Sequence, residues 1–84
     1  MSAAVLNING TSADALIQAL CDARIAVMDA MKSLQETAPN GRDFQTAPRG
    51  AYEVARGIYG ARFAVLDKLA NDLEADAIAI QVSP

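Results

Sequence analysis

Residues 49–81, RGAYEVARGIYGARFAVLDKLANDLEADAIAIQ, constrain the fold most, because their apolar positions recur at a single helical period. At 100° per residue, Tyr52, Ala55, Tyr59, Phe63, Leu66, Ala70, Leu73 and Ala77 fall on one stripe, the spacing of a helix that buries one face. Val54, Ile58, Val65 and Leu69 extend the apolar surface to one side, until it covers about half the circumference. One neighbouring helix cannot cover so wide an arc, so the spacing predicts a second packing partner. Arg62 projects from near the middle of the arc, where a charge is costly unless it is paired.

The rest of the chain supplies one such neighbour. Thr11-Ser12-Ala13-Asp14 has the pattern of a capping box and predicts a helix from residue 11 to residue 37. Its stripe is Leu16, Leu20, Ala23, Val27, Met31 and Leu34, widened by Ile17, Cys21 and Met28, with Ile25 on the far side. Ala38-Pro39-Asn40-Gly41 ends it, because proline disfavours helical geometry in the residue before it and Asn-Gly readily takes positive φ. An elbow over 38–47 follows, with Thr46 as expected N-cap and Pro48 in the first turn of a helix over 48–81. Gly57 and Gly60 inside that helix predict a close backbone approach or a mild kink. Residues 1–10 read as an arm that caps the helix ends, and the alternation of Ile78, Ile80 and Val82 leaves room for strand pairing between the termini.

The expected architecture is therefore all-α, a single domain over residues 1–84. It is an antiparallel two-helix hairpin that completes its core by self-association, as a homodimer forming a four-helix bundle. Met28, Ile58, Val65, Leu66 and Leu69 are the expected self-association residues, since a lone hairpin leaves such side chains in water. A hairpin centred near residue 43 would set Leu20 near Leu66 and Arg24 level with Arg62. Two arginines in one apolar layer want an anion between or beside them, which makes Arg24, Arg62 and Tyr59 a candidate anion site. The plainer account has both snorkel to exposed acids such as Asp22 or Asp76.

Composition narrows the function classes. With 7 Lys plus Arg against 10 Asp plus Glu the formal charge is −3, which argues against direct nucleic-acid binding. Charge is segregated along the chain: residues 1–40 carry −2, residues 41–62 carry +2 (Arg42, Arg49, Arg56 and Arg62 against Asp43 and Glu53), and residues 63–84 carry −3. The chain has no histidine, so it lacks Ser-His or Cys-His pairs, Glu-x-x-His metal motifs and the usual general base near neutrality. No catalytic residue, metal ligand or cofactor is expected. Cys21 reads as a buried, inert thiol, and Asp72, Glu74 and Asp76 as a solvated face. No run of 18 apolar residues and no basic start before an apolar block is present, so neither a membrane span nor a secretory signal is expected, and a cytoplasmic location is.

The elbow is the expected partner-binding surface, through Arg42, Asp43, Phe44 and Arg49. An aromatic beside charges in a polar loop is the composition of an interface anchor, although Phe44 has the alternative of tucking back onto Leu34 and Tyr52. Asn40-Gly41-Arg42-Asp43-Phe44, with Ala61-Arg62-Phe63 through Leu66, Leu69 and Leu73 to Ala77-Ile78-Ala79-Ile80, resembles small helical proteins of proteobacterial phages and prophages. The resemblance implies a non-enzymatic accessory protein, of a class that often binds and inhibits a host protein or defence system.

Overall fold

The computed structural model describes residues 10–82, and the expected arm over residues 1–10 lies almost wholly outside them. Helix α1 spans Gly10–Gln35, a short 3-10 helix spans Gly41–Phe44, and helix α2 spans Ala51–Gln81. Among the described residues there is no strand, and Ile78 and Ile80 are helical, which removes the C-terminal half of the expected strand pairing. The two helices pack antiparallel in a body of 60 × 19 × 14 Å. Its smallest dimension is little more than one helix diameter. Each helix therefore has a single neighbour.

Local chemistry explains the boundaries. α1 ends in three i→i+3 bonds, from the N–H groups of Glu36, Thr37 and Ala38 to the carbonyls of Ser33, Leu34 and Gln35, which tighten the last turn ahead of Pro39. Thr37 Oγ1 also donates to the Leu34 carbonyl at 2.7 Å. Asn40 caps the 3-10 helix, its side-chain oxygen accepting from the Arg42 N–H at 2.9 Å. α2 starts three residues later than expected. Its N-cap is Gly50 rather than Thr46, at φ 86°, and Pro48 lies in the turn before the helix, its carbonyl accepting from the Ala51 N–H. The left-handed turn at Gly50 resets the chain direction, which Pro48 and Thr46 could not do.

The inward positions follow a seven-residue repeat. On α1 they are Ala13, Ile17, Leu20, Arg24, Val27, Met31 and Leu34; on α2 they are Tyr59, Phe63, Leu66, Ala70, Leu73, Ala77 and Ile80. Alternating steps of three and four make the seam of an antiparallel coiled coil, with Tyr52 and Ala55 continuing inward under the elbow. Ala23, expected on the stripe, is exposed, because the repeat passes through Arg24 instead.

The register also departs from expectation. Leu20 clusters with Ala77 and Ile80 rather than Leu66, and Arg24 lies level with Glu74, about three turns beyond Arg62. The connection is long enough to fold back along α2, with Phe44 against Tyr52 at 5.7 Å between ring centroids. The first turns of α2 thus run past the end of α1.

The resulting core is thin. Among the described residues only Leu20, Ala70, Ala77 and Ile80 are buried hydrophobics, and none is fully enclosed. The accessible surface is 6270 Å², against about 4,800 Å² for a compact monomer of this mass. A Cβ built on Gly57 or Gly60 meets nothing within 4 Å, and α2 is continuous through both, so neither the close approach nor a break is present there. Both glycines face open space and cost helix propensity. Gly60→Ala should raise stability by about 0.5–1 kcal/mol in a urea titration, whereas Gly50→Ala, forced to φ 86°, should lower it by about 1 kcal/mol.

Candidate functional site

The two sides of the hairpin differ in chemistry. One side joins Ile17, Cys21 and Ile25 of α1 to Glu74 and Ile78 of α2 around a shallow groove of about 250 Å³, with exposed Met28 one turn further along the same face of α1. Arg24 rises from the seam into this groove, where one guanidinium nitrogen lies 3.3 Å from a Glu74 carboxylate oxygen. Among the described residues this is the one ion pair that joins the helices. Arg24 Nε is buried without a partner, so the charge is only part-compensated. Cys21 is exposed, not buried as expected, because among the described residues no third helix covers that flank.

The opposite side carries the apolar stripe of α2. Val54, Ile58, Val65 and Leu69 are exposed at 63%, 46%, 67% and 43%. Helical spacing sets exposed Ala61 among them, and Ala26 and Ala30 of α1 alongside. The stripe ends at Asp72, which accepts a 2.7 Å hydrogen bond from Lys68 Nζ. That hydrogen bond, followed by the Asp72 charge, raises the Lys68 pKa. The expected self-association residues are therefore divided: Ile58, Val65 and Leu69 share this side, Leu66 is half-buried in the seam, and Met28 sits on the other side.

An open cleft of about 520 Å³ lies where the elbow meets this stripe. It is lined by Glu36, Thr37, Ala38, Pro39, Asp43 and Phe44, and across from them by Ala55, Ile58, Tyr59 and Arg62. Arg62 and Tyr59 of the expected anion site are together here, but Arg24 is in the other groove. Glu36 and Asp43 give the lining a net negative charge beside Arg62, which suits a cationic or mixed-charge group better than a free anion. Phe44 is half-buried, stacked at a tilt of 60° on Tyr52, so the tucked alternative holds on the Tyr52 side. Arg42 and Arg49 are exposed, and the Arg56 guanidinium lies 5.7 Å over the Tyr52 ring instead of pairing with Glu53.

Sequence reasoning missed Glu74 as the partner of Arg24. The available signal was the repeat, which puts Arg24 on the seam and Glu74 immediately after seam residue Leu73. Among the described residues, no group of three or more His, Cys, Asp or Glu side chains could hold a metal ion. No helix among them is long and apolar enough to cross a membrane. No family model, curated protein or solved structure matches the chain.

Replacing a part-satisfied charge on the seam by an apolar side chain of similar length is often neutral or stabilising, while removing only Glu74 costs less than about 1 kcal/mol, because the Arg24 and Glu74 side chains are 35% and 51% exposed. Arg24→Met should therefore match or exceed the parent protein in a urea titration, and Glu74→Gln should fall slightly below it. A marked loss of stability in Arg24→Met would show that the hairpin needs the ion pair.

Proposed function

We propose that this protein is a non-enzymatic interaction module of the phage accessory type, which self-associates through α2 into a four-helix assembly and engages a host protein through its elbow. The observation that carries the reading is the stripe of Val54, Ile58, Val65 and Leu69, four large apolar side chains exposed along one side of a hairpin with four buried hydrophobics among the described residues. A two-helix body with so little core gains most from a copy of itself. The elbow supports the second half of the reading. There Phe44 and Tyr52 form a braced aromatic pair beside the mixed charges of Arg42, Asp43, Arg62 and Glu36, the composition of an adaptable protein contact. Its relation to phage proteins rests on the Asn40–Phe44 and Ala61–Ile80 resemblance, and a cytoplasmic setting goes with it.

Light scattering should give twice the 8.8 kDa chain mass. Leu66→Asp, which puts a carboxylate into the seam, should unfold the protein and abolish the dimer together; a folded monomer in that variant would refute the bundle. Phe44→Ala should keep the helical circular dichroism of the parent and weaken capture of the host protein by at least tenfold, a loss of about 1.4 kcal/mol. Full affinity in that variant would remove the elbow from the interface.

A further inference from the structure

The self-association reading leaves open which way two hairpins meet, and the offset between the helices decides it. A two-fold axis lying in the contact plane can run along the helices or across them. Along them, the α2 of each copy lies over the α1 of the other at the same level. That arrangement leaves Val54 and Ile58 uncovered, because α1 ends at Gln35, close to the level of Arg62, and does not reach the first turns of α2. Across them, α2 lies antiparallel on the α2 of the second copy, and the whole stripe is covered.

Charge is compatible with this arrangement. The stretch over residues 41–62 carries +2 and the stretch over residues 63–84 carries −3. Antiparallel packing of α2 on α2 sets the basic stretch of each copy toward the acidic stretch of the other, with Glu74 held apart by its pairing to Arg24 in the opposite groove.

Resting on the self-association reading, we infer that two copies pack α2 against α2 in antiparallel fashion, with the two-fold axis beside Ala61. Ile58 then meets Val65 of the partner subunit, and Val54 meets Leu69 of the partner subunit. The spacing of the stripe is symmetric about the point midway between Ala61 and Arg62, since Val54 and Leu69 lie equally far from it, as do Ile58 and Val65. Small, exposed Ala61 sits at the crossing, where two helix backbones come closest. Arg62 lies beside the axis but shares the elbow cleft with Glu36 and Asp43, which offset its charge. Ile58 also lines that cleft, so the second copy closes one of its sides.

Disulfide trapping tests this, with exposed Cys21 replaced by serine and single cysteines placed at exposed positions of α2 that the hairpin does not bury. Ala61→Cys alone should give a covalent dimer under mild oxidation. Val54→Cys alone and Leu69→Cys alone should give none, while an equimolar mixture of these two should. Self-linking at both Val54→Cys and Leu69→Cys would show parallel helices and overturn the inference. A dimer by light scattering that links in neither pattern would place the contact on another face and also overturn it. A monomer by light scattering, with parental circular dichroism, would instead remove the self-association reading itself.

Discussion

The packing of α1 against α2 along a seven-residue repeat is the interaction on which the rest of the molecule depends. It fixes which residues are inward, and on both helices it leaves large apolar side chains outside the seam, Ile25 and Met28 on α1 and Val54, Ile58, Val65 and Leu69 on α2. Small residues at Ala13, Ala70 and Ala77 let the helices approach closely, but they bring little buried area. Larger side chains such as Tyr59, Phe63, Leu66 and Leu73 are only half-covered, because one neighbour shields one side of each. The seam thus organises the hairpin without enclosing it.

Arg24 shows what the repeat costs and what it specifies. A charge on an inward position of a coiled coil lowers stability, yet it selects one register if a partner waits at only one level. Glu74 is that partner, at 3.3 Å. Sliding the helices by one turn would leave Arg24 against Ala70 or Ala77 and strand a charge on the seam. The stagger between the helices follows from this register and from the long elbow, and the stagger is what exposes the first turns of α2.

The helices and the inward stripe of α2 were legible in the sequence, because a 3.6-residue period over more than thirty positions leaves little choice of structure. The widened arc was legible too: the side chains expected in water from a lone hairpin, Met28, Ile58 and Val65 among them, are exposed. Register was not legible. It depends on Gly50 adopting a left-handed turn and on Asn40 nucleating a 3-10 helix, and both lengthen the path between helices in ways that residue spacing does not encode. The error then spread to the site, since moving α2 by about three turns separates Arg24 from Arg62; Met28 and Val65 lie on opposite sides for another reason, their angular positions relative to the seam. Cys21 was misplaced for a related reason: apolar width was read as burial, whereas a body one helix thick has no second layer to bury it.

Width of the apolar arc and thinness of the core have a common thermodynamic consequence. A hairpin with four buried hydrophobics among the described residues carries a backbone entropy cost set by all its ordered residues, and the seam offsets only part of it. Under the proposed self-association, covering the α2 stripe would contribute to folding as well as to binding, so apparent stability would rise with protein concentration. Folding and assembly would then form one equilibrium. The elbow stands apart from this coupling. Its order comes from the Asn40 cap, the Phe44–Tyr52 stack and the Gly50 turn, all local to residues 40–52. A substitution at Arg42 or Asp43, both exposed, can therefore change the surface of the elbow without disturbing the seam or the stripe, so under the proposed reading the contact surface could vary while the scaffold is held.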